Sequence, residues 1–271
     1  MEYTDEQLRD IIEQAVGEFA TDGHPRWYAI TGSHTYGFDS ASSDIDVRGF
    51  HTVDEDRYAY LADEPDQEVT INMDGTTDGY EHVSDVDLRS YELRHFGEHI
   101  VGANYNAMEL LFCADKVMNG VPLAMGGLRQ LVKGYLPLDV PHTYLGMAKS
   151  NYYSYLDPEK DEAYDPRPKK FLYVYRGLLG AIYTHEYGEI VADVRELAGS
   201  VDMGRPELVA ELIEVKRDNE REFLADTLEE DVRIEISRLF NAQPDFESPS
   251  QERREQFMTE IDQWMRSTRL T

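Results

Sequence analysis

The sequence predicts an α+β protein, with strands and helices mixed through residues 1–120 and an all-helical region over residues 121–271. Three observations carry this reading. "RWYAIT" and "DIDVRGF" are short apolar runs bounded by Gly- and Ser-rich turns, as buried strands are. "EHVSDVDLRSY" places apolar residues at every second position, the period of a strand. From about Leu123 onward the apolar residues recur instead at helical spacing.

The first helix is marked by Thr4 and Gln7, a T-x-x-Q capping box, and by one apolar stripe of Leu8, Ile11, Ile12, Ala15, Val16 and Phe19. "TDGHP" ends it. "RWYAIT" is the first strand and stops at Gly32. The Gly/Ser-rich loop then leads into "DIDVRGF", the second. "QEVTINM" reads as an edge strand among acidic loops. "EHVSDVDLRSY" runs into a helix bearing Leu93, Phe96, Ile100 and Val101, and "NAMELLF" is a short helix ending near Cys113. After "MNGVP" come the helices "HTYLGMAKSNYYSYL", "KKFLYVYRGLLGAIYTHEY", "PELVAELIEVKRDNEREF" and "SQERREQFMTEIDQWMRS". The Pro- and charge-rich "DPEKDEAYDPRPKK" links the first two.

Composition bounds the setting. At 271 residues and 41% hydrophobic, the chain can bury a sizeable core. No apolar run reaches membrane-spanning length, and "MEYTDEQLRD" has no secretory pattern. A single cysteine rules out an intramolecular disulfide and fits a cytoplasmic location. The net charge of −28 is dispersed along the chain, as in acidic, halophilic-type surfaces, and builds no patch for one basic partner. Such a surface repels nucleic acid at low salt, but molar salt screens that repulsion, so acidity does not exclude RNA.

The chemistry concentrates in "GSHTYGFDSASSDIDVRGF", Gly32 to Phe50. Strand residues two apart share a face, so Asp44, Asp46 and Arg48 lie on one side and Ile45 and Val47 on the other. Two ionised carboxylates this close repel unless a cation lies between them, and hard oxygen ligands suit Mg²⁺ or Mn²⁺. Upstream, Gly32 and Ser33 end a strand in a turn whose N–H groups can face phosphate oxygens. Ser43, beside the first aspartate, serves either to hold phosphate or to cap the loop. Together these residues read as a phosphate cradle beside a divalent cation seat, an arrangement suited to nucleoside triphosphate chemistry.

This stretch resembles the signature of the DNA polymerase β-type nucleotidyltransferase superfamily. More narrowly, it is similar to predicted nucleotidyltransferases whose motif reads G-S-x-x-x-G, small residues, then S-D-x-D-x-R-G, and which include the RNA-repair-pathway (RNA-ligase-associated) polymerase β-like proteins. "DVDLRSYELRHF", "NYNAMELLF" and "KKFLYVYRGLLGAIY" match further family elements, with Tyr105 where proline is usual. The resemblance spans roughly Trp27 to Tyr187. It implies a mixed sheet flanked by helices, with the helical region completing a nucleotide and acceptor cleft. It implies three metal-holding carboxylates: Asp44, Asp46 and, as the best match for the third, Asp87, with Asp85 the alternative on the same face. Gly32 and Ser33 match the phosphate-binding turn. Lys170, Tyr173 and Arg176 lie on or beside one helical face of "KKFLYVYR" and are expected at the nucleotide, where cations meet phosphate.

The expected activity is metal-dependent transfer of an NMP from an NTP to an acceptor hydroxyl, with an RNA end as the implied acceptor. Related proteins with this core modify protein hydroxyls or small molecules. A D-x-D nucleotide-sugar transferase is the rival enzyme class, disfavoured by the Gly-Ser turn upstream. "HFGEH" has the form of a zinc motif, but Gly97 interrupts it and no third ligand follows.

Overall fold

The structure, a computed structural model, describes residues 4–17, 23–40, 43–59, 65–73, 85–113, 118–120, 122–160 and 164–269. In chain order the elements begin with α1 (Asp5–Gly17), β1 (His24–Thr31), a single turn α2 (Ser33–Tyr36), β2 (Ile45–Thr52) and β3 (Glu68–Met73). They continue with β4 (Val86–Glu92), α3 (Leu93–Val101), α4 (Tyr105–Cys113), β5 (Met118–Gly120) and α5 (Pro122–Lys133). Then follow α6 (Val140–Asn151), α7 (Pro168–Tyr187), α8 (Val194–Ser200), α9 (Glu207–Asp218), α10 (Asp226–Asn241) and α11 (Gln251–Arg269). This is the mixed sheet with flanking helices and helical C-terminal region that the sequence predicts. Phe19, placed on the α1 stripe by the sequence, lies outside the described residues.

The chain divides into two units. The first comprises Met1–His34, Ser43–Tyr135 and Pro249–Thr271; the second comprises Thr35–Ser42 and Leu136–Ser248. These units are discontinuous in sequence, whereas the expected division at residue 120 follows chain order. Helical spacing identifies α5 and α11 as helices but does not say which core they close. Both belong to the first unit: Trp264 of α11 meets Phe50 edge-on at 6.1 Å, and Phe257 packs on Tyr135 at 4.8 Å.

The first unit is built on a five-stranded sheet in the order β3-β4-β2-β1-β5. β2 and β4 run parallel, and the other neighbours run antiparallel. β3 takes the edge that its half-exposed alternation predicts. β5, read from sequence as part of a break, adds the other edge by pairing Met118–Gly120 with Trp27–Ala29. One sheet face packs on α1: Ile11, Ile12 and Ala15 bury against Tyr28, Ile30, Ile45, Val47, Val86 and Leu88. The Thr4–Gln7 capping box forms, with Gln7 Oε1 accepting from the Thr4 N–H at 2.8 Å. On the opposite face Phe50 stacks on Phe96 of α3 at 5.0 Å, so α3 and α11 cover its far end. The near end of that face carries Asp46 and Asp87.

The second unit is organised around α7, buried along most of its length and flanked by α6, α8, α9 and α10. Thr35–Ser42 belongs to it, although in sequence this segment lies between Ser33 and Asp44. Among the described residues no helix is long and apolar enough to cross a membrane.

Candidate active site

In the first unit, strand register assembles the site. β2 pairs with β4 so that Asp46 stands abreast of Asp87, and Arg48 abreast of Arg89. β1 pairs with β2 so that Thr31 stands opposite Asp46, which brings Gly32 beside that carboxylate. Gly32 has φ of +68°, and a Cβ there would lie 1.9 Å from Asp46 Oδ2. Glycine is therefore required twice, by the backbone and by the carboxylate that fills its side-chain space.

Ile45 and Val47 are fully buried toward α1, while Asp46 and Arg48 are half-buried on the other face. The alternation read from the sequence holds from Ile45 onward, but Asp44, expected on the face of Asp46 and Arg48, lies outside the strand. Asp44 precedes the strand and is exposed; Ser33 and Ser43 are buried. Asp85, the alternative third carboxylate, is exposed, and its main-chain carbonyl accepts from the Ile45 N–H at 2.9 Å. Asp87 is the one abreast of Asp46.

Arg48 joins the two abreast carboxylates. Its Nη2 donates to Asp46 Oδ1 at 2.8 Å and to Asp87 Oδ2 at 3.2 Å. Its Nη1 donates to the main-chain carbonyls of Val47 at 3.0 Å and Asp87 at 2.7 Å. Asp87 Oδ1 is buried with no hydrogen-bond partner among the described residues. Among the described residues no three His, Cys, Asp or Glu side chains converge as a ready metal cluster. The donor set nonetheless fits a hard divalent cation: carboxylate oxygens only, one of them buried without a partner, the class of ligand that Mg²⁺ and Mn²⁺ take. The sequence put Arg48 on this face but gave no sign of its partners, which depend on a register set between distant strands.

The remaining candidates lie together in the second unit, on α7. Lys170 Nζ lies 3.6 Å from the centre of the Tyr155 ring, and burial pushes its ammonium below its ordinary pKa. Tyr173 meets Phe38 edge-on at 5.6 Å and Tyr36 at 6.1 Å. Arg176 is only 1% exposed. Its guanidinium sits 3.8 Å over the Tyr36 ring, and Nη2 reaches Met147 Sδ at 3.1 Å. Tyr173 and Arg176 thus share a face of α7, and it is covered by Tyr36 and Phe38, residues that sequence reading left in an open loop. The same segment is held further along. Ser40 Oγ donates to Glu220 at 2.9 Å, and the fully buried Lys216 lies 3.4 Å from Ser40 Oγ and 3.5 Å from Glu220. Gly37, with φ of +80°, leaves room for the Asp193 carboxylate, which a Cβ would meet at 2.3 Å.

"HFGEH" forms part of α3, where the His95 and His99 rings stack at 4.3 Å and His95 Nδ1 faces Glu98 at 3.5 Å.

Among curated proteins none matches the chain. Among solved structures, a nucleotidyltransferase-like protein from Exiguobacterium sibiricum 255-15 aligns over 97% of this chain and 74% of its own, at 10% identity and a TM-score of 0.31, a likeness too distant to carry an argument. The family comparison is decisive in extent. The model of the RNA repair pathway DNA polymerase beta family, RlaP, matches residues 8–267, and the chain belongs to that family.

Proposed function

We propose that the protein is a metal-dependent nucleotidyltransferase that transfers an NMP from an NTP to an acceptor hydroxyl, with an RNA end as the acceptor. The observation that carries this reading is the pairing of Asp46 with Asp87 beside Gly32, in a chain of this family. In the reaction the acceptor hydroxyl gives up its proton to solvent as its oxygen bonds to the α-phosphorus, and the bond from that phosphorus to the oxygen shared with the β-phosphate breaks, so pyrophosphate leaves. Asp44, Asp46 and Asp87 would hold Mg²⁺ or Mn²⁺, which supplies positive charge to the phosphates when bound.

The chain's own residues do the rest. The Gly32 turn, with Ser33 and Ser43, binds phosphate oxygens through N–H and hydroxyl donors. Exposed Asp44 is reachable from solvent at the start of β2, while Asp46 and Asp87 are fixed by the sheet. Lys170 and Tyr173 are the α7 residues proposed at the nucleotide. Arg176, enclosed over Tyr36, acts there by holding the 35–42 segment.

The test is transfer of label from each α-labelled NTP to mixed RNA, in molar KCl with Mg²⁺ or Mn²⁺, with Asp44→Ala/Asp46→Ala as control. Label on RNA, lost in the control, supports the reading. Label on protein alone moves the acceptor to a protein hydroxyl. Full transfer by the doubly substituted protein sinks the assignment of the site.

A further inference from the structure

The space between Asp46 and Asp87 is bridged by a cation that the chain supplies itself. Two carboxylates abreast on neighbouring strands repel when both are ionised. Arg48 Nη2 lies against one oxygen of each, at 2.8 and 3.2 Å. The guanidinium divides its work by nitrogen. Nη1 is tied to main-chain oxygens at 3.0 and 2.7 Å, and Nη2 faces the carboxylates. It also leaves Asp87 incompletely used. Asp87 Oδ1 is buried without a partner among the described residues. A planar donor fork can serve only the oxygens it faces, whereas a hard divalent ion gathers oxygens from several carboxylates.

We infer that Arg48 is a resident counter-cation of this site: Nη2 keeps Asp46 and Asp87 paired while no divalent ion is bound, and yields Asp46 Oδ1 and Asp87 Oδ2 when one binds. The inference rests on the metal-holding reading of these carboxylates. The exchange needs a turn of the rigid guanidinium, which carries Nη1 along with Nη2, and no movement of β2. Metal affinity is then set by competition, and Arg48 is a positioning residue that lowers it.

The experiment measures Mn²⁺ binding by the full chain without nucleotide, following free Mn²⁺ by electron paramagnetic resonance. Arg48→Met keeps the stem and removes the charge, and it is expected to bind Mn²⁺ roughly tenfold tighter or more, the scale of one close charge interaction at a part-buried site. Arg48→Lys keeps the charge and should stay near the unsubstituted protein. Equal or weaker binding by Arg48→Met, with Mn²⁺ bound by both proteins, overturns the counter-cation role and leaves the metal reading standing. Failure of both to bind, or binding undiminished in Asp46→Asn and Asp87→Asn, overturns the metal reading and the inference with it. Should Arg48→Met not fold, the unsubstituted protein decides. Saturating Mg²⁺ should shift the Arg48 guanidinium ¹⁵N resonances, and resonances that stay fixed while Mg²⁺ binds overturn the proposal.

Discussion

Gly32 and Asp46 compete for one small volume, and the site depends on glycine yielding it. Alanine at 32 would take a left-handed backbone conformation, costing about 1–2 kcal/mol, and would place its Cβ 1.9 Å from Asp46 Oδ2. The carboxylate has to move. Gly32→Ala should lower stability by about that amount in urea titration and lower nucleotidyl transfer by about a hundredfold, the usual effect of a misplaced catalytic group. The abreast pairing makes a second prediction that separates two neighbours in the sequence. Asp87→Asn should cost about a hundredfold or more in transfer, whereas Asp85→Asn, an exposed side chain outside the abreast pair, should cost about twofold at most. Steady-state transfer assays on the two variants decide between them. At this scale the sequence disclosed much: alternation put Asp46 and Arg48 on one face and buried Ile45 and Val47 on the other. It did not disclose that Asp87 is the partner of Asp46, because side-chain period fixes a residue's face and not the register between strands forty residues apart.

Elements explain why the α7 candidates were only half legible. Their spacing put Tyr173 and Arg176 on one face, but a face seen from sequence has no indication of what covers it. Tyr36 and Phe38 cover it, drawn from a segment whose small and hydroxyl residues read as loop. The cation–π contact of Arg176 with Tyr36, 3.8 Å and desolvated, is worth about 2 kcal/mol. Tyr36→Phe should therefore keep stability within about 0.5 kcal/mol, and Tyr36→Leu, which keeps apolar bulk but no ring, should lose about 2 kcal/mol or more. Chemical denaturation of both measures the difference, and equal stability of the two variants would remove this contact from the account.

The sheet carries a second polar device on its α1 face. Ser90 Oγ lies 2.7 Å from Tyr28 Oη and 2.8 Å from His51 Nδ1, joining β1, β2 and β4 through buried groups. Burial pushes the Tyr28 hydroxyl far above its ordinary pKa, so it stays protonated. Burial first, against attraction from Glu92 and Asp66, pulls His51 below its ordinary 6.5. The unfolded chain therefore binds the His51 proton more readily than the folded one. The folded state keeps the full benefit of neutral His51 above pH 6.5 and loses it as pH falls through the lower folded value. Stability should drop on acidification below about pH 6.5 with a slope of up to about 1.4 kcal/mol per pH unit from this residue, and His51→Gln should flatten that slope. Denaturant titrations across the range measure it.

For the whole molecule the governing quantity is the net charge of −28. Charge spread this evenly repels itself and repels polyanions, and both effects are screened by salt with a Debye length that falls from about 10 Å at 0.1 M to about 3 Å at 1 M. Stability should accordingly rise between about 0.1 M and about 1 M KCl, and equally with choline chloride if screening rather than a bound cation is responsible. The proposed RNA acceptor gives the sharper test, because the two electrostatic regimes predict opposite signs. A protein that binds RNA through a basic surface releases counterions and loses affinity steeply as salt rises. This chain offers few cations to release and a large repulsion to screen, so its KM for RNA should fall as KCl rises over the same range. The nucleotide side follows the same sign more weakly, since an NTP carries fewer charges than an RNA end with its flanking phosphates. A KM for RNA that climbs with salt would mean that a local basic surface outweighs the overall charge, and the acceptor would then be held by cations gathered at one place rather than admitted by screening.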